Sequence, residues 1–415
     1  MEQSIKKDYL WNTIGVMLQN ATSPILLLIV TRLNGIEASG VFSFAFAVSI
    51  LLWALGMWGG RTYQVSDTRG EFSQRSYVMV RLLLSIAMML IAVGFSVANN
   101  YPFEMTALII VLTLFKVVES YADVLYGVLQ LHDKLYLSGI SLAVKSLAGI
   151  LIFAIVDLIT GSILYASLSV VLINLLVLFF YDLRYTKKYD RDILTAITKR
   201  VYVREAFTIM KKCSGVFVVF FLALFSLNIP RYFIEKYNPE EVGYFGVIAM
   251  PITLIVLLMT FILQPNILKL SQAYITQKYR TFFVTVNKIL FVSFAVGVAV
   301  LCVSWLYGPE LLAIVFGVDF HQYRLPLVII VAGGLASALV AVYLNVFVIM
   351  RKIRLPFFVL IVTNIMLTGF STITIYSHGL LAGVSLYALV NIIQAIILSC
   401  SYTLILRRSL RAEEN

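Results

Sequence analysis

The sequence predicts an all-α polytopic membrane protein of about twelve transmembrane helices, and three observations predict it. Of 415 residues, 61% are hydrophobic and only 13% charged, where a soluble chain carries about a quarter. The mean hydropathy is +0.94. Cut at its polar gaps, the chain yields repeated apolar runs of the roughly 20 residues that a crossing needs, and Lys and Arg gather in every second gap.

The runs fall at about 10–31, 39–60, 77–98, 104–128, 137–156, 161–181, 213–233, 242–264, 284–307, 325–350, 356–377 and 380–406. Met1–Tyr9 is polar, and the first run is too long for a signal-peptide core. It carries Asn12, Asn20 and Pro24, and the later Asn228, Pro230 and Pro251 stand as further polar lining or bends. The second run closes in GMWGGR, whose two glycines leave Arg61 at a cavity mouth. The fourth carries charges through its middle, and the fifth holds Lys145 about a third of the way in.

Orientation follows from the gaps. One side receives Lys6, Lys7, Arg61, Arg69, Arg75, Arg81, Lys134 and the cluster from Arg184 to Lys212. It also receives Lys269, Lys278, Arg280, Lys288, Arg351, Lys352, Arg354, Arg407, Arg408 and Arg411. The other side receives Arg32, Arg231, Lys236 and Arg324. The first side is therefore expected to be the cytoplasm, with both termini in it. This asymmetry also accounts for the net charge of +11 without nucleic acid.

The one long polar connector divides the chain into an N-terminal six-helix bundle at 1–182, a cytoplasmic linker at 183–212 and a C-terminal six-helix bundle at 213–415. Ile193, Ile197, Val201 and Val203 are loosely helix-spaced among Lys and Arg, which suits either an interfacial helix or a solvated tether. RLNGIEASGVFSF (32–44) lines up with EKYNPEEVGYFGV (235–247), placing Glu37 over Glu240, Gly40 over Gly243 and Phe42 over Phe245. A duplicated six-helix unit is expected. Six crossings preserve orientation, so the bundles would be related by a pseudo-twofold along the membrane normal, with a central cleft between them.

Most charges on the spans lie near their ends, where long side chains snorkel to the interface. Lys116, Glu119, Asp123 and Lys145 do not. The first three share one helical face, at spacings i,i+3 and i,i+4. Intramembrane charges face a partner or a cavity, which leaves two readings open. In one, Lys116–Glu119 and Lys145–Asp123 are ion pairs that hold two helices in register. In the other, Lys116 and Lys145 bind an anion while Glu119 or Asp123 takes up a coupling H⁺ or Na⁺. Arg61 suits phosphate through its planar fork, or serves as an anchor. Arg32 and Arg231 lie on the outer side, where anchoring arginines are disfavoured.

No GxxxxGK[ST] loop is present, so ATP hydrolysis is not expected. Cys213, Cys302 and Cys400, like His132, His321 and His378, are dispersed, and no metal or other cofactor is expected. The longest outer loop, 308–324, is half apolar and too short for a catalytic domain, so the chain does not read as an enzyme.

The segments KKDYLWNTIG, GIEASGVFSFAFAV, RTYQVSD and YVMVRLL, placed on twelve helices in two halves, resemble the polysaccharide-biosynthesis flippases. These are the O-antigen and capsule repeat-unit translocases of the multidrug/oligosaccharidyl-lipid/polysaccharide (MOP) exporter superfamily. The resemblance spans nearly the whole chain. It implies a multi-pass protein of the bacterial inner membrane that moves undecaprenyl-pyrophosphate-linked oligosaccharides outward by alternating access. A glycan polymerase and other assembly proteins are implied as partners. It also implies a cavity lined by basic residues, to which Arg61, Lys116, Lys145, Arg32 and Arg231 are assigned by topology. Tyr121 and Tyr126 offer platforms for sugar beside the charged stripe. Multidrug exporters of the superfamily usually keep an acidic residue in the first span, and residues 10–31 hold no Asp or Glu. A membrane-embedded glycan polymerase or ligase is the rival from another class.

Overall fold

The computed structural model describes the backbone of residues 2–67, 70–193 and 200–414, and these are helical almost throughout. Arg69 and Ile197 lie outside the described residues, as do the side chains of Lys6, Arg408 and Arg411. The helices are α1 (Glu2–Gly56), α2 (Arg61–Ser66), α3 (Gln74–Ala98), α4 (Phe103–Leu131), α5 (Leu135–Thr160), α6 (Ile163–Val177) and α7 (Leu183–Thr186). They continue with α8 (Arg200–Tyr237), α9 (Val242–Ile248), α10 (Met250–Ile275), α11 (Tyr279–Phe316), α12 (Arg324–Ile349) and α13 (Arg354–Glu414).

Among the described residues, nine helical stretches are long and apolar enough to cross a membrane. Two of them, Lys7–Ser66 and Arg354–Arg407, run for 60 and 54 residues, about twice what one crossing needs. Each is broken where a glycine takes a positive φ, Gly35 at 87° and Gly379 at 54°, a conformation that a side chain resists. Each therefore holds two spans. These two extra crossings, with α4 and its interior charges, bring the nine to twelve. The protein is an all-α polytopic membrane protein.

The chain divides into two compact units, Met1–Phe217 and Val218–Asn415. The boundary falls inside α8 and not at a loop. In the first unit, α1 lies along α5 so closely that the backbones touch. A methyl group on Gly139 would meet the main chain of Trp11 and Asn12, and one on Gly15 would meet Gly139. Small residues are what allow spans to approach this far. Tyr77, Val80, Leu125, Val128 and Leu129 form the buried centre where α3 meets α4. In the second unit Ile229, Leu367 and Val390 pack together.

The described part of the connector packs against the rest of the first unit. Its second part opens α8, and Tyr202, Ala206 and Ile209 are buried against the first unit while Val201 is exposed. Polar bonds pin it there. Arg75 reaches Asp192 at 3.1 Å and the Tyr202 hydroxyl at 3.2 Å, Lys212 pairs with Glu71, and Ser76 donates to Glu205. The Trp58 indole donates to the Met210 carbonyl at 2.8 Å and stacks on Phe217 with centroids 4.2 Å apart.

The aligned turns behave alike. Residue 35 corresponds to residue 238, and both interrupt a helix: Gly35 within α1, and Asn238 (φ −141°, ψ 62°) between the end of α8 and a single 3₁₀ turn at Pro239–Glu241. In the second unit the Glu241 carboxylate accepts from the Leu380 backbone N–H at 2.6 Å, satisfying a helix start left open by the break at Gly379.

A candidate anion site of paired charges in the first unit

The charged stripe of α4 meets partners from three other elements of the first unit, α1, α2 and α3. At mid-helix, Lys116 Nζ lies 2.6 Å from Glu119 Oε2, with the two side chains 12% and 10% exposed. The other Glu119 oxygen accepts from Gln19 of α1 at 3.2 Å. Lys116 also sits 4.6 Å from the Phe115 ring centroid and 5.0 Å from that of Phe46, so aromatic faces share in holding the ammonium.

Eight residues before the end of α4, Asp123 meets two guanidiniums. Its Oδ2 accepts from Arg81 at 3.4 Å, and its Oδ1 lies 3.6 Å from Arg61 Nε. Arg81 is 1% exposed and also donates to the carbonyls of Gly56 at 2.6 Å and Trp58 at 3.2 Å. Those carbonyls terminate α1, where unsatisfied acceptors and the helix dipole favour a cation. Arg61, 26% exposed, is the more open of the two arginines.

Lys145 does not pair with Asp123. Its Nζ lies 2.5 Å from Asp182 Oδ2 and 3.1 Å from the Tyr126 hydroxyl, which in turn bonds Ser141 at 2.9 Å. Asp123 is already held by the two arginines, and Asp182 reaches Lys145 because α6 does not end at residue 181. A π-turn over Leu178–Asp182 carries the helix into α7. Val170, Asn174, Leu178, Asp182 and Thr186 are all buried at a spacing of four. In a regular helix each such step drifts by about 40°, and the wider i→i+5 turn takes up the drift.

Glu119, Tyr126 and Lys145 line one small, partly open cavity with Gln19, Ser146 and Asn174, of about 20 Å³, room for roughly one water. Seven ionisable side chains thus gather in one unit: Arg61, Arg81, Lys116 and Lys145 against Glu119, Asp123 and Asp182. The cations are compensated internally, with one positive charge in excess.

The other sequence candidates lie elsewhere. Arg32 is exposed near the break in α1. Arg231 belongs to the second unit, its guanidinium carbon 5.3 Å from the Phe245 ring centroid. Tyr121 is partly buried on α4. Sequence reasoning missed Gln19 and Asp182 and placed Arg81 among the loop charges. The available signal was Arg81 inside YVMVRLLLS, an arginine flanked by apolar residues on both sides. No group of three or more His, Cys, Asp or Glu among the described residues could hold a metal ion.

No protein-family model matches the chain. Its structure is similar to an inward-facing multidrug resistance MATE family transporter of the MOP superfamily, with a TM-score of 0.70 at 15% identity, covering 97% of this chain and 99% of that one. It is also similar to a MOP superfamily transporter from Pyrococcus furiosus described as having a binding pocket of reversed polarity that suggests a different function. There the TM-score is 0.63 at 14% identity, covering 98% of this chain and 96% of that one. The chain therefore has the fold of these MOP-superfamily transporters. In sequence it is 24% identical over 347 residues to the capsular polysaccharide biosynthesis protein CapF of Staphylococcus aureus, covering 83% of this chain and 85% of that one. The resemblance read from the motifs therefore holds for the superfamily fold, and a polysaccharide biosynthesis protein stands among the relatives.

Proposed function

We propose that the protein is a flippase that moves an undecaprenyl-pyrophosphate-linked oligosaccharide across the bacterial inner membrane by alternating access, for capsule or O-antigen assembly. The observation that carries this reading is the group of four basic side chains inside the spans of the first unit. A membrane protein gains little from such costly residues unless they meet an anion or one another, and a pyrophosphate supplies the anion. The similarity to CapF favours a glycan cargo over a multidrug cation. So does the absence of Asp and Glu from residues 10–31.

In this reading Arg61, Lys116 and Lys145 meet the phosphates, with Arg32 and Arg231 contacting the cargo elsewhere along its route. Glu119 or Asp123 carries the coupling H⁺ or Na⁺, and glycan-assembly enzymes are the partners. Both termini are cytoplasmic. The test is deletion of the gene in its host, followed by mass spectrometry of the undecaprenyl-linked pool with sidedness resolved. Complete single repeat units accumulating on the cytoplasmic face support the flippase. Repeat units that reach the outer face unpolymerised or unligated overturn it in favour of a glycan polymerase or ligase.

A further inference from the structure

The Lys145–Asp182 contact has features that a simple helix clamp does not require. Asp182 is fully buried and Lys145 is 6% exposed, yet Lys145 also lines the small, partly open cavity shared with Glu119. The second oxygen of Asp182, Oδ1, is buried and makes no hydrogen bond of normal geometry, although the Ser141 and Tyr126 hydroxyls lie close to the carboxylate. A structural carboxylate is ordinarily satisfied at both oxygens. The residue is delivered by a π-turn, an insertion that helices carry mostly where function requires it.

We propose that Asp182 is an exchangeable counter-ion: it occupies Lys145 while no cargo is bound and yields it to a phosphate oxygen of the transported lipid. Asp182 is thus a positioning residue that acts through Lys145. The inference rests on the flippase reading above and deepens it. When phosphate takes Lys145, the carboxylate is left among apolar neighbours, where an unpaired charge is not tolerated. It then takes a proton from water on the side bearing the N-terminus, and Oδ1 is the oxygen free to hold it. When the cargo leaves, the proton returns to water and the pair re-forms.

The groups facing this carboxylate are Lys145 and the Ser141 hydroxyl from α5, the Tyr126 hydroxyl from α4, and Tyr181 from its own segment, with Tyr136, Tyr185, Asp123 and Glu119 lying behind those tyrosines. Among them Lys145 is the only cation. A drop in pH that protonates Asp182 therefore frees Lys145 and strengthens anion binding.

The experiment uses the full-length protein in lipid nanodiscs, with farnesyl pyrophosphate as the probe and inorganic pyrophosphate as a tail-free control. Binding is measured between pH 5.5 and 8 for the wild type, Asp182→Asn, Lys145→Gln and the double variant. Asp182→Asn is expected to bind farnesyl pyrophosphate about tenfold more tightly than wild type at pH 8. Lys145→Gln and the double variant should bind weakly and alike. The wild-type affinity should rise as pH falls more steeply than that of Asp182→Asn, a comparison that cancels the probe's own titration and leaves Glu119 in place. Unchanged or weaker binding by Asp182→Asn, with the same pH slope, overturns the counter-ion role and leaves the flippase reading standing. If Asp182→Asn does not fold, a wild-type pH profile as flat as that of Lys145→Gln overturns the role. Wild type that binds neither probe at any pH overturns both.

Discussion

Arg81 and Asp123 form a salt bridge at 3.4 Å between α3 and α4, and the same guanidinium closes the end of α1 through the carbonyls of Gly56 and Trp58. One buried side chain therefore ties three elements together. Arg81→Met would leave two carbonyls without their donor and Asp123 with only the more distant Arg61, at 3.6 Å. Breaking a buried pair from one side costs about 3–5 kcal/mol. Purified Arg81→Met is expected to unfold at a markedly lower temperature in detergent, followed by tryptophan fluorescence. Arg61→Met should cost far less, because Arg61 is a quarter exposed and Arg81 still holds Asp123. Equal melting temperatures for the two variants would refute the assignment.

The Lys116–Glu119 pair allows the structural and functional readings to be separated. Lys116→Met leaves Glu119 with only Gln19 in the middle of a span, a loss of about 3 kcal/mol. Lys116→Met/Glu119→Gln removes both charges and should recover most of that loss, giving a large coupling energy in a double-mutant cycle. If Lys116 also meets the cargo, the stable double variant will still fail to restore polysaccharide export in a deletion strain. Full export by the double variant would reduce Lys116 to a helix fastener.

The touching backbones of α1 and α5 make a third prediction. Gly139→Ala places a methyl group against the main chain of Trp11 and Asn12, atoms that cannot rotate away. The two helices have to separate, at about 1–3 kcal/mol. Gly94→Ala in α3 meets nothing within 4 Å and should leave the melting temperature unchanged. A Gly139→Ala protein as stable as wild type would show that the two helices do not approach as described.

These three predictions differ in how much of their basis was legible in the sequence. The apolar runs and the shared face of Lys116, Glu119 and Asp123 follow from hydropathy and the 3.6-residue repeat, which are local properties. The partners of that face are not local. Arg81 reads as a loop charge until Asp123 is brought opposite it. Asp182 reads as the last residue before a connector because nothing in LLVLFFYDLRYT announces a π-turn. The pairing of Lys145 with Asp123 fails for the same reason. Spacing along one helix fixes which face a charge occupies, and packing between helices decides what it meets. The gaps around Gly35 and Gly379 read as turns between spans, and in the structure each is a kink at a single glycine with helix on both sides.

The sidedness assigned from the basic residues is open to a direct chemical test. Cys302 and Cys400 are exposed on spans and Cys213 is buried, so all three are first replaced by serine. Lys188→Cys then probes the connector, and Asn100→Cys probes the turn between α3 and α4; both positions are exposed. They lie on opposite sides of the membrane, because α3 alone separates the two surfaces to which they belong. With the termini in the cytoplasm, a membrane-impermeant maleimide added to intact spheroplasts should label Asn100→Cys at once. It should label Lys188→Cys only after permeabilisation. The reverse pattern would invert the protein, placing Arg61, Arg81 and the Lys145–Asp182 pair towards the outer face. A cargo made in the cytoplasm would then meet these charges last, and the flippase reading would lose its loading site.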